Sequence, residues 1–412
     1  MTVLQLGQAA KDAASKIAQA NSGAKDTLLT TIAELIIKKS NSILLENQKD
    51  IELARSNGIG EVMTDRLTLT PERISAMADS LRNMAALPDP TGVILDGCTR
   101  PNGLRIIRKR VPIGVVAIIY ESRPNVTLDA AALCLKAGNA VVLRGGKEAI
   151  FSNTALVNII KDALETNGFP RDIVGLVTDT SRDSAKQLME LTGIIDLLIP
   201  RGGKELIDTV IRGAKVPVIE TGAGNCHLYV DEFADIEMAL AVTENAKMSR
   251  PSVCNAAETL LVHRNIADRF LPKFFDLIGP RAELRGDERA RDILPAINVA
   301  VERDWFTEYN DYILAVAIVD CVEDAVWHIN HYGTKHSEAI ITEAVRPAEY
   351  FMENVDAAAV YLNASTRFTD GGEFGMSAEI GISTSKLHAR GPMGLDALTT
   401  TKYFVFGDGQ LR

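Results

Sequence analysis

Between residues 115 and 362 the chain alternates short apolar runs with helix-length stretches: "VVAIIY", "AVVLRG", "IVGLVT", "DLLIP" and "VPVIET", then "CHLYVD", "ETLLVH", "ILAVAIVD", "EAIIT" and "AAVYLN". Each run is too short for a helix, and alternation of this kind is the sequence form of a mostly parallel sheet with helices on its faces. A chain of 412 residues exceeds what one hydrophobic core usually serves. The two series therefore predict two α/β units in tandem. Their boundary is expected near 222–230, where "TGAGN" has the glycine texture of a hinge.

The first ninety residues read as helices that act as scaffold. In "DTLLTTIAELIIKK" the apolar side chains Leu28, Leu29, Ile32, Leu35 and Ile36 recur at helical spacing. "SNG" at 56–58 ends one helix, and "TPER" at 70–73 starts another, with Thr70 as N-cap and Pro71 at the first helical position. Residues 92–114, "GVILDGCTRPNGLRIIRKRVPIG", place Pro-Asn-Gly between two strand-like runs and predict a hairpin. Its Arg105, Arg108, Lys109 and Arg110 suit either a solvated edge protected by charge or an oligomerisation arm. The C-terminal "KYFVFGDGQLR" reads as a further strand returning to that hairpin.

Chemistry-bearing residues are sparse. Three glycine turns follow strand-like runs, at 144–149 ("RGGKEA"), 200–207 ("PRGGKELI") and 220–225 ("ETGAGN"). Ligands of such sheets bind outside the carboxyl ends of strands, where glycine lets backbone N–H groups approach phosphate. Neither the G-x-G-x-x-G fingerprint nor the GxxxxGK[ST] loop is present. Glu220 closes a strand-like run, where it reads equally as a cap or as a catalytic carboxylate. Asn125 precedes an amphipathic helix and reads equally as a cap. Cys254, in "SRPSVCNAAETL", is by local sequence a small packing residue or a nucleophile. The six histidines show no HExxH or paired metal spacing, so no metal is assigned.

A net charge of −10 and a pI near 5.3 exclude the clustered positive footprint of a nucleic-acid binder. Five scattered cysteines with no CxxC pair are not a disulfide framework and suit a reducing compartment. The opening residues lack a signal-peptide apolar core, and no run approaches the roughly 18 apolar residues of a membrane span. The expectation is a cytoplasmic protein that meets neither nucleic acid nor membrane.

"YESRPNVT", "RGGKEA", "SRPSVCNAAETL", "YLNASTRFTDGGEFG" and "KLHARGPMGL" together resemble the gamma-glutamyl phosphate reductases, or glutamate 5-semialdehyde dehydrogenases, of the aldehyde dehydrogenase superfamily. The resemblance runs from the N-terminal helices to the last strand. It implies an aldehyde-dehydrogenase-like α/β fold: an NADPH-binding domain at 1–91 and 115–224, an oligomerisation arm at 92–114 with 400–412, and a catalytic domain at 225–399 whose last part returns to the cofactor domain. The implied reaction is NADPH-dependent reduction of L-glutamyl 5-phosphate to L-glutamate 5-semialdehyde and phosphate through a thioester on Cys254, in proline biosynthesis. Glu220 precedes Cys254 by 34 residues, the superfamily's separation between its strand-end Glu and its catalytic Cys.

By the same resemblance Glu308 matches the Glu that holds a nicotinamide ribose, and Gly202 and Gly203 match the glycine turn beneath the cofactor. Arg144, Gly145, Gly146 and Lys147 replace the hydrolytic relatives' Lys-Pro and Glu. A Lys at 147 removes repulsion from a ribose 2′-phosphate, which favours NADPH over NADH. The superfamily's oxyanion Asn is matched by Asn125 only out of register, because here the order is Arg123-Pro124-Asn125. Arg123, Arg250 and Arg367 are candidates for the substrate's carboxylate or phosphate, with Lys136 and His388 behind them. Phosphate is itself a good leaving group and no water need attack, so Glu220 is expected to tune or orient the thiol. Homo-oligomers and a transient contact with glutamate 5-kinase are the implied partners. The alternatives are a thiol hydrolase, a CoA-acylating relative and a non-catalytic nucleotide-binding module.

Overall fold

The computed structural model describes residues 1–376 and 378–412, Val62 by its backbone alone. In chain order the strands are β1 (Ile94–Thr99), β2 (Arg105–Pro112), β3 (Val115–Tyr120), β4 (Ala140–Arg144), β5 (Val174–Leu176), β6 (Leu197–Arg201), β7 (Cys226–Val230), β8 (Ala257–His263), β9 (Glu283–Gly286), β10 (Asn298–Val299), β11 (Ile313–Val319), β12 (Ser337–Ile341), β13 (Ala359–Leu362), β14 (Ile382–Ser383), β15 (Gly391–Pro392) and β16 (Thr399–Phe406). The chain divides into two compact units, one of Met1–Glu220 with Gly375–Gly381 and Met393–Arg412, the other of Thr221–Phe374 with Ile382–Pro392.

The first unit opens with helices whose limits follow local chemistry. Helix Ser22–Lys38 buries Leu28, Leu29, Ile32 and Ile36. The Thr70 side chain accepts the Arg73 N–H at 3.2 Å, which satisfies an orphan donor of helix Pro71–Ala85. The four-stranded sheet has the order β5-β4-β3-β6 with every pair parallel, and β3 is buried along its whole length. β1 and β2 form the expected hairpin, turned through Gly103 at φ 88°. β16 pairs antiparallel with β2 from Thr399 to Phe406, giving a separate sheet β1-β2-β16.

One expected strand is missing from this unit. "VPVIET" forms no ladder, only two isolated bridges, Val218 with Leu198 and Thr221 with Ser383. Pro217 has no N–H to give a ladder, so its carbonyl accepts from Leu198 at 2.8 Å and regular pairing stops there. Glu220 therefore lies in irregular backbone and not at the end of a ladder.

The second unit is a parallel sheet of order β10-β9-β11-β8-β7-β12-β13. Along its central strands alternate residues serve two cores. Leu228, Val230, Leu260 and Val316 pack on one face with Phe270 and Phe274 of helix Arg264–Ile278. Tyr229, Leu261 and Ala317 pack on the other with Val326 and Ile329 of helix Val322–Tyr332. Burial on both faces is why these strands read as continuous apolar runs.

β9 and β10 were not expected from the sequence. Glu283 and Arg285 alternate with Leu284 and Gly286, and the two charged side chains pair with each other at 2.7 Å at the sheet's edge. Residues 221–224, expected with the first unit, belong by their contacts to the second. Thr221 bridges Ser383, and the Gly224 N–H is held by Glu308.

Candidate active site

Cys254 lies in the irregular segment between helix Ile236–Met248 and β8, and it is half-buried. The residues around it are held from three directions, all within the second unit. Gly224 packs against the carbonyl of Cys254 so closely that a Cβ there would lie 1.4 Å from the oxygen. The "TGAGN" glycines thus include a position of close backbone approach, where a hinge was expected. The Cys226 thiol donates to the same carbonyl at 3.2 Å.

Beyond the nucleophile position, buried Asn255 is tied to the segment around the short helix Thr366–Phe368. Its Nδ2 donates to the carbonyls of Arg367 at 3.1 Å and Thr369 at 3.0 Å, and its own carbonyl accepts from Thr366 Oγ1 at 2.7 Å.

Charge at this site comes from two arginines. Arg367 Nε donates to Ser249 Oγ at 3.1 Å, and its guanidinium also bonds the Asn255 side-chain carbonyl. Burial pushes the Arg367 pKa down, and the nearby Arg250 adds to the shift. Arg250 itself is exposed. Among the described residues neither forms an ion pair with a carboxylate, although Asp370 is close enough to oppose the shift at Arg367.

Glu308 accepts the Gly224 N–H at 2.9 Å, which places it one backbone contact away from the Cys254 carbonyl. Its loop is fixed by a polar cluster. Buried Lys247 and Glu258 pair at 2.6 Å, Glu258 accepts the Asn310 N–H at 3.3 Å, and Tyr309 donates to Asp304 at 2.9 Å. Burial lifts the Glu258 carboxyl to about 7, with Lys247 opposing the shift.

The remaining sequence candidates lie in the first unit, except His388, which lies in the second. Arg123 is the N-cap residue of helix Pro124–Lys136, with its N–H on the Glu121 carbonyl at 2.7 Å. Asn125 is exposed on the first turn, and its Nδ2 donates to Asp129 at 3.3 Å. Glu220 is half-buried.

Arg144 ends β4 with its guanidinium on the carbonyls of Thr180 at 2.8 Å and Ser181 at 2.9 Å, so it ties the strand end to that turn. Gly145 is packed against Asn153 and Tyr120, and a Cβ there would meet the Asn153 amide at 2.2 Å. Gly146 precedes Lys147, whose exposed ammonium forms no ion pair among the described residues. Gly202 and Gly203 stand at the start of helix Lys204–Gly213, where the Gly203 N–H is held by the Glu121 carboxylate at 3.0 Å. Lys136 is buried on Asp26 and on the Ala85 carbonyl, a structural tie that removes it from the substrate candidates. His388 is exposed at φ 66°.

Cys226, Thr366 and Thr369 were missed by sequence reasoning. Thr366 and Thr369 fall within "YLNASTRFTDGGEFG", one of the segments that carried the resemblance, and Cys226 follows "TGAGN" directly, so the available signal was adjacency to those motifs.

A half-buried cysteine on a tethered turn before a parallel strand, with glycine backbone behind it and arginines beside it, has the parts that covalent thiol chemistry requires. The family model described as "Aldehyde dehydrogenase family" matches residues 1–300, so the chain belongs to that family of oxidoreductases, which work with a nicotinamide cofactor. The gamma-glutamyl phosphate reductase of Petrotoga mobilis is 55% identical over 410 residues, covering 100% of this chain and 99% of the relative. The crystal structure of the gamma-glutamyl phosphate reductase of Thermotoga maritima superposes with a TM-score of 0.98 at 46% identity, over 100% of both chains.

Within the family this is the branch to which the chain belongs. Its reaction is the reductive step of proline biosynthesis that converts L-glutamyl 5-phosphate to L-glutamate 5-semialdehyde. An engineered glycolyl-CoA reductase solved with bound NADP+ shares the fold, with a TM-score of 0.69 at 18% identity over 98% of this chain and 96% of that one.

Gly224→Ala tests the contact behind the nucleophile. The added methyl has no room beside the Cys254 carbonyl, so the loop must move by the order of 1 Å, and kcat is expected to fall about 100-fold. Steady-state kinetics, with a melting curve on the same protein, read the effect.

Proposed function

We propose that Cys254, as thiolate, attacks the acyl carbon of L-glutamyl 5-phosphate. A carbon–sulfur bond forms as the carbon–oxygen bond to phosphate breaks, leaving a thioester. The observation that carries this reading is the half-buried Cys254 on a doubly tethered turn, next to two arginines without carboxylate partners. The cofactor, when bound, supplies the hydride that reduces the acyl group to the aldehyde. Arg250 and Arg367 suit the substrate's carboxylate or phosphate, since an anion would relieve their mutual repulsion and a planar fork binds either group. Arg123 is a third candidate of the same chemistry.

An oxyanion on the acyl carbon is proposed to be stabilised by the Cys254 N–H and the Asn125 amide, at about 3 kcal/mol per donor. For Glu220 the proposal is a tuning or orienting role toward the thiol, because hydride transfer to the thioester requires no activated water. For Glu308 it is a hold on the nicotinamide ribose through the carboxylate that also binds Gly224.

NADPH is the proposed cofactor form, and the first unit's residues fit it. The Gly202–Gly203 turn at a helix start already holds one carboxylate oxygen on an N–H, which is the chemistry of a phosphate site. The ammonium of Lys147, which forms no ion pair among the described residues, follows Gly145 and Gly146 at the end of β4 and suits a ribose 2′-phosphate, while Arg144 ties that strand end to the 180–181 turn.

The functional test is phosphate-dependent reduction of NADP+ by glutamate 5-semialdehyde, the reaction in reverse. Cys254→Ala is expected to abolish it, and retained turnover ends the covalent scheme. Turnover that needs CoA and ignores phosphate would favour the acylating alternative. Lys147→Glu is expected to raise the KM for NADPH about tenfold, a change of about 1.4 kcal/mol, and to leave the KM for NADH unchanged. An unaltered NADPH KM removes this account of cofactor choice.

The proposal places the enzyme in the cytoplasm, since among the described residues no helix is long and apolar enough to cross a membrane and the cysteines suit a reducing compartment. The β1-β2-β16 sheet is proposed as an oligomerisation arm that pairs with a second copy of the chain. Ile94, Tyr403 and Val405 are 58%, 61% and 56% exposed on its two edge strands, more apolar surface than a solvated edge carries comfortably. Introducing Tyr403→Asp with Val405→Asp is expected to lower the solution mass measured by light scattering, and an unchanged mass refutes the arm.

A further inference from the structure

Cys226 opens β7 fully buried, with its thiol donating to the carbonyl of Cys254 at 3.2 Å. Its sulfur also lies 3.7 Å from His336 Nδ1, at hydrogen-bonding range for sulfur. That nitrogen is 2.8 Å from Ser337 Oγ, which is 2.6 Å from Thr369 Oγ1. The carbonyl of Thr369 accepts from Asn255 Nδ2 at 3.0 Å, and Asn255 follows Cys254 in the chain. The contacts therefore close a circuit through the nucleophile's own peptide. Two further bonds brace it, Tyr361 OH with Thr369 Oγ1 at 2.7 Å and Thr366 Oγ1 with the Asn255 carbonyl at 2.7 Å. Asn255, His336, Ser337, Thr366 and Thr369 are all buried.

We propose that Cys226 is a positioning residue for acyl transfer, whose thiol fixes the rotation of the Cys254–Asn255 peptide through this buried circuit and so holds the backbone that carries the nucleophile. The proposal rests on the reading of Cys254 as the attacking thiol.

Two features distinguish the role from packing. The Cys226 thiol meets the one carbonyl that Gly224 also packs against, so the peptide is confined by two contacts at that oxygen. Burial, reinforced by Glu338 and other neighbouring charge, pushes the Cys226 pKa well above the usual thiol value, so the group remains an S–H donor and does not compete as a second nucleophile. A thiol is a weak donor in water, but in a closed low-dielectric network its bond is strengthened and its loss leaves a buried carbonyl without that partner.

The test uses the full-length enzyme in the phosphate-dependent assay, with melting temperatures measured alongside. Cys226→Ala is expected to lower kcat about tenfold, with the KM of both substrates within about twofold of wild type. Cys226→Ser keeps a donor at the same place and is expected to recover kcat to within about threefold of wild type. The rate of Cys254 carbamidomethylation by iodoacetamide, followed on the Cys254 peptide by mass, is expected to drop with kcat in Cys226→Ala and to recover in Cys226→Ser.

Wild-type kcat in Cys226→Ala overturns the proposal, as does an equal loss in the alanine and serine variants. Turnover surviving in Cys254→Ala sinks the nucleophile reading itself, an outcome separate from either. Should Cys226→Ala fail to fold, Thr369→Val opens the circuit at a distance with little change of shape. The same kcat-only loss is then expected, and an unchanged kcat refutes the circuit.

Discussion

The backbone at Gly224 and the carbonyl of Cys254 meet with no space for a side chain between them, and the position of the Cys254 turn depends on that contact. It is possible because β7 and β8 are adjacent parallel strands, which brings the residues just before each strand to the same end of the sheet. Gly224 precedes β7 and Cys254 precedes β8. Glu308 holds the far side of the Gly224 peptide, and Cys226 holds the Cys254 carbonyl from below. A nucleophile on an exposed loop would sample many positions. Here the turn is confined by hydrogen bonds whose partners are themselves buried in strands or clamped to them.

The tethering bears on how the thiolate forms. No histidine follows or precedes Cys254 closely in sequence, and the buried His336 stands beside Cys226. Arg367 interacts electrostatically with both Arg250 and Cys254, so its positive charge would favour an anion at this end of the sheet. A thiolate favoured by guanidinium charge does not require a dedicated base, because the charged form is stabilised directly. The same charge would attract an acyl phosphate, so in the proposed scheme substrate capture and thiol activation would draw on one electrostatic source.

How much of this could be read in advance differs by level. The apolar runs marked nearly every central strand, because a strand buried on both faces is mostly apolar, with buried polar groups such as Glu258 and Glu338 in the first residues of β8 and β12. "VPVIET" failed as a strand on one residue, since Pro217 removes a donor that no amount of apolar patterning restores. β9 escaped notice because Glu283 and Arg285 satisfy each other at an edge, which leaves a charged surface pattern in the sequence. Arg144 was grouped with the cofactor residues by register, yet its guanidinium is engaged with two carbonyls of the 180–181 turn.

The sequence by itself determined the parallel α/β architecture, the hairpin that receives the terminal strand, and the placement of one cysteine just ahead of a buried strand. Those features follow from local periodicity, turn chemistry and residue type, which are properties of contiguous segments. Only the tertiary structure decided which groups hold that cysteine. Cys226, Thr366 and Thr369 lie far from it along the chain and carry no periodic signal, since a hydrogen bond between distant segments is specified by where the sheet brings them. Gly224 shows the difference most directly. In sequence it is one glycine among several in a flexible-looking run, and in the fold it is the position where a single methyl group would displace the Cys254 backbone.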